Sequence, residues 1–169
     1  MRRYSEAPPL QIDQEKQYFA TIRTEKGDIR IQLFPKEAPQ AVNAFVFLAR
    51  NRYYEGLTFH RVIDGFVAQA GDAGSGAPGF AVPADQNSRK HDQYTVALGR
   101  DNATGQLTAQ FYIALAPMPA QDGKDTVFGR VIQGQQVLDQ LTRRDPQRQP
   151  NAPSGDKILS VTIDEQPPS

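Results

Sequence analysis

Between Asp28 and Phe34 the apolar Ile29, Ile31 and Leu33 alternate with Arg30 and Gln32, the period of two that marks a strand with one buried face. Tyr18 to Thr24 precedes it and Glu25-Lys26-Gly27 supplies a turn, so the two segments read as an antiparallel hairpin. The period then changes. Pro39 suits a first helical turn because it has no N–H to leave unbonded. Val42, Phe45 and Phe47 to Ala49 form a broad apolar side, and Arg50 and Arg52 fall at the negative end of the helix dipole. This predicts a helix from about Pro39 to Arg50. Short strands separated by turn signals come next, at Thr58 to Ile63, Phe66 to Ala70, Tyr94 to Leu98, Gln110 to Leu115, Thr126 to Ile132 and Ile158 to Ile163, with a short helix at Gln135 to Leu141. Helices are too few for alternating βαβ units. The cheapest way to hide both core and edges is a mainly β domain: a closed eight-stranded antiparallel β-barrel capped by two α-helices. The expected organisation is a polar N-terminal arm over 1–17, the barrel over 18–164 and a tail over 165–169.

Composition narrows the function. The chain has 169 residues, close to one domain, and 38% of them are hydrophobic, enough for an ordinary core. Nineteen Lys plus Arg offset nineteen Asp plus Glu, which removes the positive field expected of a nucleic-acid binder. There is no Cys, and His60 and His91 stand far apart, so neither a metal site nor any other cofactor is expected. The longest uncharged run, Asn102 to Gln121, is broken by Asn, Thr, Gln and Pro and does not read as a membrane span. No apolar stretch comes after Arg2 and Arg3, so a cytoplasmic location is expected.

The chemistry-bearing motifs thin out quickly. Gly74 to Gly79 fits G-x-G-x-x-G, but Pro78 and Pro83 bracket Phe80-Ala81-Val82 and no helix pattern succeeds them, so the glycines signal a bend rather than a phosphate cradle. Asp122 and Asp125 lie in a turn-like stretch, and no serine stands in a nucleophile motif. The informative stretch is Phe59 to Asp72. Alternation puts Arg61 on one face with Phe59 and Ile63, so a permanent charge projects from an apolar surface, either beside a carboxylate or into a binding groove. His60 then falls on the opposite face, as a core histidine with a backbone partner. A two-residue turn at Asp64-Gly65 would pair Ile63 with Phe66 and separate Arg61 from Gln69. A three-residue connection, Asp64 to Phe66, pairs Ile63 with Val67 and Arg61 with Gln69, and this register is the one expected.

This stretch resembles the signature of the cyclophilins, the peptidyl-prolyl cis-trans isomerases whose pattern reads approximately F-H-R-V-I-P-G-F-M-x-Q-G-G-D. Phe59, His60, Arg61, Val62, Ile63, Gly65, Phe66, Gln69, Gly71 and Asp72 fit, while Asp64, Val67 and Ala70 depart from it. The likeness continues through Phe34-Pro35-Lys36-Glu37-Ala38-Pro39, Tyr54 to Thr58, Gln110-Phe111-Tyr112-Ile113, Asp122-Gly123-Lys124 and Val127 to Val131. It implies the barrel fold already counted and rotation about X–Pro bonds, with Arg61 acting on the prolyl nitrogen and Gln69 supporting it. It also implies a substrate-binding set of Phe66, Val67, Gly99, Gln110, Phe111, Tyr112, Ala120, Gln121 and Asp125. Within that set Tyr112 stands where the family has phenylalanine, Ala120 where it has tryptophan, Gln121 where it has leucine and Asp125 where it has histidine. Gly99 to Ala109 departs from the family's A-N-A-G-P-x-T-N-G-S run. The partners implied are proline-containing peptides and unfolded or folded protein clients, taken by a monomer. The substitutions leave open a second reading, a proline-segment binding or chaperone-like module with reduced or no turnover.

Overall fold

A computed structural model of the chain describes residues 4–74, 77–85, 87–100 and 105–168. Ser75 and Gly76 of the glycine-rich bend and residues 101–104 of the Gly99 to Ala109 segment lie outside them. In chain order the elements are β1 (Gln17–Thr24), β2 (Gly27–Leu33), α1 (Pro39–Arg50), β3 (Arg61–Ile63), β4 (Val67–Ala70), β5 (Thr95–Arg100), β6 (Leu107–Ala114), a 3₁₀ turn (Pro119–Gln121), β7 (Val127–Gln133), α2 (Gln135–Gln140) and β8 (Ile158–Gln166). All eight strands join one antiparallel sheet in the order β3-β4-β6-β5-β7-β2-β1-β8.

The alternation in β2 does what the pattern requires: Ile29, Ile31 and Leu33 are buried, while Asp28, Arg30 and Gln32 face outward to varying degrees. The concave face gathers an aromatic hub. The Phe45 ring of α1 lies 5.3 Å from Tyr54, 5.5 Å from Phe111 and 5.3 Å from Phe128, centroid to centroid. Truncating such a buried ring costs about 3–5 kcal/mol, so α1 is anchored by side chains rather than by helix propensity. α1 packs on β8 and β6, and α2 on β2.

The N-terminus of α1 has no cap from its own sequence neighbours. Asp85 provides it, its carboxylate accepting the N–H groups of Gln40 at 3.1 Å and Ala41 at 3.0 Å. The expected polar arm is strapped to the same helix. Asn43 Oδ1 accepts the N–H groups of Gln11 and Ile12, its Nδ2 donates to the Pro9 carbonyl, and Tyr4 sets its ring edge against Phe47.

The expectation of a closed barrel needs correction. The sheet is open and strongly curled, with β3 and β8 as its two edges and no ladder between them among the described residues. Thr58 to Ile63 does not run as one strand. Thr58 bridges Lys157 and the Phe59 N–H bonds the Asp156 carbonyl, so this part of the chain spans the seam before β3 begins at Arg61. Val62 exchanges two backbone bonds with Arg144 on the outer side of β3. β8 runs to Gln166, beyond the strand end expected at Ile163, because Gln17 pairs with Gln166 in the ladder. No helix among the described residues is long and apolar enough to cross a membrane.

Candidate active site

The connection between β3 and β4 decides which side chains meet. Gly65 adopts φ +67°, a left-handed conformation that glycine enters without strain, and the Phe66 N–H closes the turn on the Ile63 carbonyl at 3.0 Å. Val67 therefore pairs with Ile63, Ala68 with Val62 and Gln69 with Arg61. The expected three-residue register is the observed one. With Arg61 and Gln69 side by side on one face, an Arg61 Nη1–H donates to Gln69 Oε1 at 3.4 Å. Gln69 Nε2 in turn donates to Gln110 Oε1 at 3.1 Å, reaching from β4 across to β6. Arg61 also lies over the Phe66 ring, 5.1 Å from its centroid, a cation–π contact that holds the guanidinium without neutralising it. Gly99 of β5 borders this row of polar side chains, where a Cβ would make only ordinary contact, 3.4 Å from Gln69 Nε2 and 3.5 Å from Gln110 Cβ.

Beside the polar row lies a small apolar cluster separate from the main core, made of Phe34, Val67, Ala97, Tyr112, Ala114, Met118 and Val127 with Phe66 packed on it. Phe66, Val67, Tyr112 and Met118 carry this cluster to the wall of a cleft of about 980 Å³, which the Arg61, Gln69 and Gln110 side chains also line. A charged donor thus faces an apolar recess wide enough for a peptide segment. Tyr112 is held at the base, its hydroxyl donating to Asp125 Oδ2 at 2.8 Å. Burial first, and the Asp125 carboxylate second, push the phenol pKa above the usual tyrosine value, so the group stays protonated. Asp125 also accepts Arg100 Nε–H at 2.9 Å.

Of the residues named from sequence, Arg61, Gln69, Phe66, Val67, Gly99, Gln110, Tyr112, Gln121 and Asp125 line this cleft. Two do not. Phe111 is fully buried in the aromatic hub, between Phe45, Tyr54 and Phe59, because alternation in β6 turns it away from the face that Gln110 and Tyr112 share. Ala120 is exposed on the 3₁₀ turn and takes no part in the lining. His60 also departs from expectation: it lines the cleft with Arg61 instead of facing the core. β3 starts only at Arg61, so strand alternation does not reach back to residue 60. Burial lowers the His60 pKa from its ordinary value, opposed in part by the nearby Asp72. Sequence reasoning also missed Met118, Arg100 and Arg144. Met118 sits between Pro117 and Pro119, where no periodicity gives it a face.

Comparison with known proteins gives a consistent result. The family profile described as "Cyclophilin type peptidyl-prolyl cis-trans isomerase/CLD" matches residues 19–163. A Helicobacter pylori protein named peptidyl-prolyl cis-trans isomerase is 43% identical over 140 residues, which cover 77% of this chain and 83% of that protein. A protein of the same name from Synechococcus elongatus is 38% identical over 149 residues, covering 85% of this chain and 94% of its own. Among solved structures, a cyclophilin type peptidyl-prolyl cis-trans isomerase from Cryptosporidium parvum aligns with a TM-score of 0.77 at 24% identity, over 89% of this chain and 99% of that one. At that identity the likeness is one of fold.

Proposed function

Because the chain belongs to the cyclophilin-type peptidyl-prolyl cis-trans isomerase family, we propose that Arg61 is the donor that lowers the barrier to rotation about an X–Pro bond and that Gln69 and Gln110 aim it. The protein is a peptidyl-prolyl cis-trans isomerase, and its reaction breaks no bond. The barrier of about 18–20 kcal/mol comes from sharing the prolyl nitrogen lone pair with the carbonyl. As the amide twists, that lone pair localises and becomes a hydrogen-bond acceptor. A guanidinium N–H directed at it stabilises the twisted state more than either planar state, which is the condition for a faster rate.

The observation that carries this reading is the Arg61–Gln69–Gln110 row beside the apolar wall of Phe66, Val67, Tyr112 and Met118. Gln69 supplies an acceptor for one edge of the guanidinium through a long 3.4 Å bond, which leaves the remaining donors free to turn toward substrate. The wall grips the pyrrolidine ring and excludes water, which keeps the effective dielectric low around the donor. Proline-containing peptides and protein clients are the substrates this supports.

Exchange spectroscopy on a short Ala-Pro peptide tests the assignment. Arg61→Ala removes a charge-assisted bond of about 1.5–3 kcal/mol at the transition state, equivalent to a roughly ten- to hundredfold loss of rate, with a smaller change in peptide affinity. Equal acceleration by wild type and variant refutes the role given to Arg61. No acceleration by folded wild type favours a binding module on the same fold.

A further inference from the structure

Tyr112 stands where the family has phenylalanine, and its added hydroxyl is buried: the residue is 6% exposed. A buried hydroxyl without partners costs about 1–3 kcal/mol, so the change of residue demands acceptors or donors around it. The structure supplies two. Asp125 Oδ2 lies 2.8 Å from the hydroxyl and His91 Nε2 lies 3.1 Å from it. A carboxylate only accepts, so the single phenol proton goes to Asp125, while His91 Nε2 stands on the other side of the phenol oxygen.

Both partners are themselves held. The other oxygen of Asp125 accepts Arg100 Nε–H at 2.9 Å, and Arg100 donates further to the carbonyls of Gly105 and Lys124. The His91 ring is fully buried, stacks on Tyr112 with centroids 6.1 Å apart, and has its Nδ1 3.2 Å from Asp122 Oδ1. That same Asp122 oxygen accepts the His91 backbone N–H at 2.6 Å. The chain Arg100–Asp125–Tyr112–His91–Asp122 therefore joins β5, the 122–125 turn, β6 and the segment before β5 behind the apolar wall.

The resemblance to the family placed Asp125 among the substrate-binding residues. In the cleft lining it has one oxygen on Arg100 and the other on Tyr112. We infer that Asp125 and His91 are positioning residues that fix the Tyr112 ring as the base of the proline recess, and that this chain reads proline through a polar-anchored tyrosine. The inference rests on the isomerase reading of the cleft, but its readout is peptide affinity, which is separate from turnover.

The test is a double-mutant cycle of Asp125→Ala and Tyr112→Phe, read by NMR titration of an Ala-Pro peptide for Kd and by exchange spectroscopy for kcat, with urea unfolding to confirm that each variant folds. Loss of one such hydrogen bond is expected to weaken peptide binding about two- to tenfold in Asp125→Ala, a larger change than that in kcat. In the Tyr112→Phe background, Asp125→Ala is expected to cost little more, because the hydroxyl it holds is gone. His91→Ala tests the second partner and is expected to weaken binding in the Tyr112 protein but not in the Tyr112→Phe protein. An unchanged Kd in Asp125→Ala, with only the unfolding midpoint lowered, overturns the proposal in favour of a purely structural role. So does an undiminished loss in the Tyr112→Phe background, which would mean that Asp125 touches the peptide itself. Absent turnover in wild type would instead strike the isomerase assignment and leave the Kd cycle readable.

Discussion

Replacing Gln69 by Glu gives the sharpest test of how Arg61 is aimed. In wild type the guanidinium meets a neutral amide oxygen at 3.4 Å, at the long end of hydrogen-bond distances, so the contact orients more than it binds. A carboxylate in the same place becomes an ion-pair partner. At an effective dielectric of about 20 the Coulomb attraction at that separation is about 5 kcal/mol before desolvation of the carboxylate is subtracted. Charge-assisted bonds of this kind retain about 1.5–3 kcal/mol net. The new carboxylate also faces Gln110 Oε1, which now accepts the Gln69 Nε2–H at 3.1 Å and would lose its donor. The guanidinium is thus held more tightly in the ground state, where it contributes nothing to rotation. The expected result is a loss of about ten- to hundredfold in kcat, larger than the loss in Gln69→Ala, where Arg61 loses its guide but not its freedom. Exchange spectroscopy under saturating Ala-Pro peptide measures it. Activity of Gln69→Glu equal to or above that of Gln69→Ala would refute the view that Arg61 must be free to turn toward the prolyl nitrogen.

Two further expectations concern stability. Asp85→Ala should lower unfolding free energy by about 1–2 kcal/mol, seen as a lower urea midpoint with unchanged slope, because the first N–H groups of α1 lose their acceptor. Asp85→Asn should recover only part of that loss, because a carboxamide has one acceptor oxygen for the two N–H groups that Asp85 Oδ1 and Oδ2 accept. For His60 the sign comes from its lowered pKa. On acidification through the ordinary histidine range near about pH 6.5 the unfolded chain takes up a proton before the native ring does, so stability falls until the native ring also titrates. His60→Asn should flatten that dependence, measured as the difference between urea midpoints at pH 7.5 and 5.5; an unchanged difference would show that His60 is not its source.

Much of the fold was legible because short-range patterns carried it. Alternation located β2, Pro39 located the start of α1, and Asp64-Gly65 announced the turn that brings Arg61 to Gln69. The features that escaped depend on contacts between distant segments. Thr58 leaves the line of β3 because a partner near Lys157 pairs with it, and nothing around Thr58 signals that partner. Asp85 caps a helix that begins far upstream, and an isolated aspartate in a polar loop has no local mark of such a role. Phe111 matches an aromatic of the family signature, yet strand alternation applied from Gln110 would have turned it toward the core. Tyr112 and Asp125 looked like separate departures from the family, but they compensate each other: the hydroxyl gained by one is bonded by the carboxylate gained by the other.

The pairing of Gln17 with Gln166 in the β1–β8 ladder means that the chain enters and leaves the sheet at one corner. Gln17 Nε2 reinforces the corner with a bond to the Pro167 carbonyl at 3.1 Å. Adjacent ends are the geometry that lets a domain be spliced into a surface loop of another protein without prising its host apart. A circular permutation with new ends in an exposed turn would need a linker long enough to keep the arm before Gln17 on α1. Because the cleft lies around β3, β4 and β6 at the other end of the sheet order, such rewiring would leave the Arg61–Gln69–Gln110 row untouched.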